Sequence, residues 1–309
     1  MERIRSYVLG FVFLLIVCTT VEAQHNTVYS NYVYNKLLIN PAYVGSEKFL
    51  SASIAFKKNW VGVEGSPASK LFLFHAPLRV KKIALGLIVT DDEFGVTNET
   101  NIQAVYSYRL YMSKHVLSFG LQPTATFYAQ RFSQLKGVDP NDPNFQGQDI
   151  NDVAFNLGFG TYLYHEKYYV GLSIPRAASN LLVPQEDEGV NVYEQQRYFL
   201  LHNGFLLDLN QRLKFQPNVF LKFTTDLPLQ IDLNTTLILD EKMLFGLSLQ
   251  RFNTLETNIG FQINNLLMFS YSYGYGFDIP NDISNGAHEV MLKYSFKRSS
   301  NRYMSTRYF

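Results

Sequence analysis

The sequence predicts an all-β protein: a transmembrane antiparallel β-barrel of about 14 strands, with an N-terminal segment that either plugs the lumen or lies in the periplasm. Phe and Tyr contribute 25 and 21 of the 309 residues while charged residues make up 17%, and this composition favours strands over helices. Apolar and polar residues alternate along most of the chain, which is typical of half-buried strands. The alternating runs are roughly ten residues long, enough to cross a bilayer as tilted strands.

Residues 1–23 are predicted to be a signal peptide for export. Arg3 and Arg5 precede an unbroken apolar run from Val8 to Val17, and a cleavage site follows at Val21-Glu22-Ala23. The apolar run is too short to span a bilayer as a helix, and no later stretch reaches the roughly 18 apolar residues that a spanning helix needs. The sequence therefore predicts export without a helical membrane segment.

Cys18 is the one cysteine of the chain. Lipoprotein processing at Cys18 is an alternative, although Leu15-Ile16-Val17 lacks the small residues usual before a lipidated cysteine. Cleavage after Ala23 would leave no thiol, which excludes disulfides, thiol catalysis and cysteine metal sites. The formal net charge of +1 provides no field to hold nucleic acid, so we expect no nucleic-acid partner.

The barrel is predicted to span residues 49–297. Between Leu213 and Phe223 the odd positions are apolar and most even positions are polar, so one face of this strand is suited to lipid and the other to a polar interior. The last strand has the same pattern, with Val290 and Leu292 on one face. The predicted strands are 49–57, 69–78, 82–92, 99–111, 115–130, 153–164, 168–175, 197–209, 212–224, 228–240, 242–252, 254–264, 266–277 and 287–297.

The connections alternate in length. Tight turns follow every second strand, near 79–81, 112–114, 165–167, 210–211, 240–241 and 264–265. The intervening loops include the long segments 58–68, 131–152, 176–196 and 278–286. Short turns on one rim and long loops on the other are typical of outer-membrane barrels, in which the short turns face the periplasm. The asymmetry is incomplete, because the loops near 225–227 and at Asn253 are also short.

A soluble β-sandwich also alternates apolar and polar residues and is the alternative fold. Sandwich strands usually average five or six residues, shorter than these. Tyrosines also cluster near the predicted strand ends, which is typical of the aromatic girdles of membrane barrels. The tyrosines assigned to these girdles are Tyr106, Tyr108, Tyr111, Tyr162, Tyr164, Tyr168, Tyr169, Tyr271, Tyr273 and Tyr275.

Three sequence blocks carry a family resemblance. They are Asn40-Pro41-Ala42-Tyr43 with Gly45, then Trp60, Gly62, Gly65 and Pro67 in the first long loop, and Gly286-Ala287-His288-Glu289 at the closing strand. Together with Asp91–Gly95 and Tyr169–Pro175, they resemble the PorP/SprF family of type IX secretion system outer-membrane proteins. The resemblance covers nearly the whole mature chain. Departures are conservative, such as Ser66 where the family often has Ala and Ala287 where it often has Ser.

The resemblance implies a noncatalytic barrel in the bacterial outer membrane. It implies a role in secretion or surface attachment of particular cargo proteins, which in some members are large gliding adhesins. The expected partners are outer-membrane lipid, the secreted cargo and other secretion components in the periplasm. A diffusion porin and a soluble export-side binding protein are the alternative functions.

Residues 24–48 precede the first strand and are polar but rich in Tyr and Asn. A barrel of this size with a polar lumen would be an open channel unless something filled it. We therefore predict that this segment plugs the lumen, the alternative being a periplasmic tail that binds partners. The candidate lumen residues for contacts with it are Lys214, Asn218, Asp232, Asn234, Asn258 and Gln262.

The sequence gives no catalytic, cofactor or metal site. The six histidines lack metal-ligand spacing, and no serine is singled out as a lipase nucleophile. A calcium site could involve Asp139, Asp142, Asp149 and Asp152, but the run lacks the EF-hand pattern and turn chemistry is the simpler interpretation. Residues 298–309 form a C-terminal tail beyond the barrel, ending in Tyr308-Phe309.

Overall fold

A computed structural model describes residues 30–47, 49–78, 82–134, 149–178, 197–225, 227–277 and 284–296. Within these residues fourteen antiparallel strands form a closed barrel, which confirms the predicted fold class. No helix in the described part of the chain is long and apolar enough to cross a membrane. The predicted signal peptide, the loop residues 139–145 and the tail at 298–309 lie outside the described residues.

Each strand matches one of the predicted alternating runs. The strands are β1 (Leu50–Lys58), β2 (Ala68–Pro77), β3 (Ile83–Phe94), β4 (Thr97–Met112), β5 (His115–Gln130), β6 (Ile150–Tyr164), β7 (Tyr168–Ile174), β8 (Tyr198–Phe205, continued by Leu207–Asp208), β9 (Leu213–Thr224), β10 (Leu227–Leu239), β11 (Met243–Gln250), β12 (Thr254–Gln262), β13 (Leu267–Gly276) and β14 (Ala287–Phe296).

Closure depends on the pairing of the first and last strands. β1 pairs with β14 in antiparallel register from Leu50↔Phe296 to Lys58↔His288. Every other strand pairs with its neighbours in sequence. In hydrocarbon an unpaired edge would leave backbone donors and acceptors without partners, at a cost of several kcal/mol each. The β1–β14 ladder removes that edge.

The two faces of the wall have opposite chemistry, and the apolar face points outward. On β1, Ile54 and Phe56 are 54% and 45% exposed, whereas Ser53 and Lys57 are buried. The same inversion recurs on the other strands, where large apolar side chains are exposed and Ser, Thr and Asn are buried. An exposed apolar surface of this extent on a protein requires lipid around it.

The tyrosine girdle predicted from the sequence is wrong for Tyr162, Tyr164 and Tyr169. These three side chains face the interior and are buried. Their even spacing on β6, and the position of Tyr169 on β7, put them on the inward face of the pleat. Tyr106 and Tyr111, by contrast, are exposed on the outer surface. Position near a strand end does not determine which face of the wall a tyrosine occupies.

The inverted wall gives a testable prediction about lipid exposure. Leu247 lies in the middle of β11 and is 52% exposed, while Leu255 lies near the end of β12 and is 41% exposed. We expect Leu247→Arg to lower the free energy of unfolding by about 2–4 kcal/mol and Leu255→Arg by less than about 1 kcal/mol, because the cost depends on depth in the bilayer. Urea titration of the protein in lipid vesicles measures both. Equal effects would contradict the assigned lipid face.

Candidate functional site

Residues 30–47 lie inside the barrel as three short 3₁₀ turns, Ser30–Val33, Lys36–Leu38 and Pro41–Tyr43. Side chains cap the last two turns. The Asn35 side chain accepts from the Leu37 backbone N–H, and the Asn40 Oδ1 atom accepts from the Ala42 N–H at 2.9 Å. Pro41 occupies the first position of its turn, where a missing N–H costs nothing. The Asn-Pro-Ala-Tyr block is therefore a capped turn. We call residues 30–47 the inner segment.

A row of small residues on the inner wall receives this turn. Ser107, Gly120, Gly160 and Ser173 are direct register partners on the adjacent strands β4, β5, β6 and β7. Ser107 and Ser173 are buried and face inward. Their alignment produces a shallow strip across four strands that is bounded at each end by a hydroxyl group.

The inner segment lies along this strip. The Ser107 hydroxyl donates to the Val44 carbonyl at 2.7 Å, and the Ser173 hydroxyl donates to the Ile39 carbonyl. Between them the glycines make room. A Cβ atom on Gly120 would overlap the backbone of Pro41 and Ala42. A Cβ atom on Gly160 would likewise overlap the Asn40 side chain and the Pro41 ring. The missing side chains allow the close backbone approach.

Asn40 connects the turn to three strands. Its Nδ2 atom donates to the carbonyls of Thr161 at 2.9 Å and Leu172 at 3.3 Å, and lies 3.0 Å from the His202 Nε2 atom. Because the Oδ1 atom already accepts from Ala42 N–H, the Nδ2 atom is the donor to His202. The imidazole therefore accepts at Nε2 and carries its proton on Nδ1.

Glu47 anchors the other end of the inner segment near the barrel seam. Its carboxylate forms an ion pair with Lys293 on β14 and accepts from the Tyr43 hydroxyl at 3.1 Å. It also accepts from the Ser51 hydroxyl at 3.3 Å and lies 3.5 Å from the His75 Nε2 atom. Burial works to raise the pKa of Glu47, but Lys293 and His75 outweigh it and hold that pKa well below its usual range. Glu47 is therefore ionised at neutral pH.

Gly45 lets the chain turn between the strip and Glu47. Its φ is +80°, and a Cβ atom at this position would overlap the Cβ atom of Ala84. The Arg109 guanidinium donates to the Gly45 carbonyl. Both the left-handed backbone and the close wall require glycine at this position.

Apolar side chains also join the inner segment to the wall. Leu37, Tyr43 and Val44 belong to one buried cluster with wall residues of several strands, among them Leu73, Ile88 and Met291. The Tyr32 ring lies 5.2 Å from the Phe220 ring. Alternation predicted polar side chains on the inner face, but Phe220 and Ile238 face inward and are apolar. The inner segment supplies apolar partners for them.

The six candidate lumen residues fall into two groups that differ in burial. Asn218, Asp232, Asn234 and Asn258 are buried on the inner face, while Lys214 and Gln262 are partly exposed near strand ends. Asn234 contacts the inner segment, where its side-chain amide donates to the Tyr32 hydroxyl at 2.6 Å.

The other five bond elsewhere. Their partners are the Tyr169 hydroxyl for Asn218, the Arg251 backbone N–H for Asp232, the Ser272 hydroxyl for Asn258, Glu241 for Lys214 and the Asn264 carbonyl for Gln262. Sequence reasoning missed Ser107, Ser173, Gly120 and Gly160 as contact residues. Only the strand register reveals their alignment.

The Trp-Gly-Gly-Pro block connects loops at the opposite rim. Val61 and the segment before β14 exchange backbone hydrogen bonds, with Val61 N–H donating to the Gly286 carbonyl at 3.0 Å. The Gly95 N–H donates to the Gly65 carbonyl at 3.0 Å. Trp60, Gly62 and Gly65 all have positive φ, so this loop has a defined conformation around Pro67 that links three hairpins across the seam.

The closing-strand residues His288 and Glu289 face opposite sides. His288 points outward, where its Nδ1 atom lies 2.7 Å from the Tyr271 hydroxyl. Glu289 is 1% exposed on the inner face, 4.0 Å from Lys57. Within the described ranges, no group of three or more His, Cys, Asp or Glu side chains could hold a metal ion. Of the predicted calcium ligands, Asp149 accepts hydrogen bonds from the Ser133 N–H and hydroxyl.

Comparison with solved structures gives the fold. The Ralstonia pickettii toluene transporter TbuX is similar with a TM-score of 0.51 and 9% identity, over 84% of this chain and 92% of that one. The Pseudomonas putida toluene transporter TodX has a TM-score of 0.48 and 8% identity, over 88% and 94% of the two chains. No curated protein sequence matches significantly.

A family model for the type IX secretion system membrane protein PorP/SprF matches residues 21–294. The barrel fold and this match together assign the protein to the bacterial outer membrane. The chain, which carries the capped Asn-Pro-Ala-Tyr turn within a closed outer-membrane barrel, belongs to the PorP/SprF family of type IX secretion system membrane proteins.

Proposed function

We propose that the protein is a noncatalytic component of the secretion system that assists secretion or surface attachment of specific cargo, and that the inner segment plugs the barrel. The observation that carries the proposal is the serine-glycine strip on the inner wall. The backbone of the inner segment packs against this strip, so the strip is occupied by the chain itself and not by a solute. The family match supports the secretion role. A component that holds cargo needs a rigid outer-membrane platform and has no need of an open channel.

The contacts of the inner segment lie toward the rim of short turns. Arg109 near the end of β4 and Thr161 near the end of β6 both bond to it. Short turns face the periplasm in barrels of this kind, so the plug occupies the periplasmic half of the lumen. A partner arriving from the cell surface would meet the outer half.

The fit of the inner segment disfavours the diffusion porin as the alternative function. Hydrogen bonds at Ile39, Asn40, Val44 and Gly45, each worth about 1 kcal/mol net, act together with the Glu47 ion pair. Displacing the segment would also expose Leu37 and Tyr43 to water. A segment held by so many contacts is a permanent plug.

Removing the plug tests this proposal directly. We expect deletion of residues 30–45 to give stepwise single-channel conductance in planar bilayers, whereas the intact protein conducts little, because water would fill the emptied lumen. Heat-modifiable gel mobility checks that the shortened barrel has folded. A folded deletion variant with no rise in conductance would refute the plug.

Two single-methyl variants test the fit of the plug without shortening the chain. In Gly120→Ala the new Cβ atom overlaps Pro41 and Ala42, whereas in Gly274→Ala it makes an ordinary contact with the Cβ atom of Ala287 at the start of β14. We expect Gly120→Ala to destabilise the plugged state by about 1–3 kcal/mol and to increase conductance. Gly274→Ala should change stability by less than about 0.5 kcal/mol and leave conductance unchanged. Identical conductance in both variants would argue against the strip as the contact surface of the plug.

The cargo role is tested by crosslinking in intact cells followed by purification of the native protein. We expect a large secreted polypeptide to copurify, along with periplasmic secretion components. An unrelated outer-membrane barrel purified in the same way is the control. Recovery of neither the secreted chain nor the secretion components, in repeated preparations of folded protein, would reject the role in cargo handling.

A further inference from the structure

An unusual lysine lies on the inner wall above the plug. Lys222 is near the end of β9 and is 5% exposed. Its Nζ atom lies 4.7 Å from the centre of the Tyr198 ring at the start of β8. The guanidinium carbon of Arg176, just beyond β7, lies 6.0 Å from the centre of the same ring. We call these three residues the outer cation site.

Lys222 differs from the other inward-facing lysines of the barrel. Lys57, Lys214 and Lys293 each lie within 4.0 Å of a glutamate carboxylate. Lys222, in contrast, makes no hydrogen bond or ion pair with any residue that the structure describes. Asp232 on the neighbouring strand attracts this ammonium, but no ion pair joins them, and Asp232 instead accepts from the Arg251 backbone N–H at 3.1 Å.

A buried cation without an anionic partner is unfavourable. The Tyr198 ring offsets part of that cost through a cation–π contact. Arg176 is partly neutralised by Glu99, 3.3 Å away across the lumen. The ammonium of Lys222 is thus the excess positive charge of the site, and a carboxylate is the group that would relieve it.

The site lies on the outer side of the plug. Phe220, two residues along β9 toward the periplasm, packs on Tyr32 of the plug, so the plug forms the floor. On one side the backbone of Pro175 crosses the inner wall at Gly158, where a Cβ atom would overlap it. The Ala177 N–H donates to the Leu157 carbonyl at 3.0 Å and fixes this part of the loop.

We propose that the outer cation site binds a carboxylate of an acidic polypeptide segment that enters the outer mouth of the barrel. This inference rests on the proposed function and identifies where the cargo contacts the lumen. A polypeptide is the occupant we infer, because the proposed plug closes the periplasmic side of the site and the site offers one excess charge beside an aromatic ring.

Fluorescence anisotropy with a labelled hexaglutamate peptide and the purified full chain tests the proposal. We expect Lys222→Met to weaken binding by about tenfold, the loss of one charge-assisted hydrogen bond, and Lys222→Arg to retain it. Lys167→Met is the control, since Lys167 is exposed at the opposite rim and pairs with Asp208. Because the ammonium has no ion-pair partner among described residues, Lys222→Met should not lower the unfolding midpoint.

Three results would overturn the proposal. Equal hexaglutamate affinity in the parent and in folded Lys222→Met would exclude the site. Competition by inorganic phosphate as effective as by free hexaglutamate would mean that the site binds anions without regard to polypeptide. Glu186, Asp187 and Glu188 belong to the long loop segment 176–196, and binding that appears only in an E186Q/D187N/E188Q variant would identify that segment as the occupant.

The crosslinking experiment separates this inference from the proposed function. If Lys222→Met recovers the secreted polypeptide as well as the parent does, the secretion role stands and the outer cation site is not the cargo contact. If hexaglutamate binds through Lys222 but no secreted polypeptide or secretion component is recovered from cells, the site stands and the secretion role fails.

Discussion

Satisfaction of backbone hydrogen bonds in lipid is the constraint on which the structure depends. Hydrocarbon offers no partner to an exposed N–H or C=O group, so the wall must close, and closure relies on the β1–β14 ladder. The loop around Trp60 and the residues before β14 exchange hydrogen bonds across the same seam. On the inner side, Glu47 contacts Lys293 of β14, Ser51 of β1 and His75 of β2. The seam is thus supported at its outer rim and from within.

Closure creates a lumen, and the chain fills part of it with its own residues. Lipid surrounds the outside of the wall, and among the described residues both buried apolar clusters contain residues of the inner segment and of the wall. One of these clusters includes the inward-facing wall residues Leu73, Ile88 and Met291. Side-chain packing around the inner segment therefore contributes stability that an empty barrel would lack.

The sequence predicted the wall well and its interior less well. Alternation with period two locates every strand because one face meets lipid, but it missed the start of β6 at Ile150, where exposed Asn151 and Asp152 continue the ladder with β5. The Asn40 and Gly45 motif positions were found through the family resemblance. Ser107 and Gly160 were not found, because serine and glycine are common at inward positions. Whether such a residue contacts the inner segment depends on which residues align with it on the neighbouring strands. The face of Tyr162 was misassigned for a related reason: the aromatic content of a strand end does not reveal which way a ring points.

The contacts of the inner segment explain which of its positions are constrained. The wall serines recognise the backbone carbonyls of Ile39 and Val44, and a carbonyl is present whatever the side chain. Asn40 is different, since its side chain caps the turn and bonds to the wall at once, and Gly45 requires its left-handed backbone. Recognition of the main chain, with fixed requirements at only these two positions, would let relatives vary the apolar residues of the segment while they keep the Asn and the Gly. The two halves of the lumen differ in a similar way. Backbone fit determines what binds in the periplasmic half, and the charge of Lys222 determines what binds in the outer half.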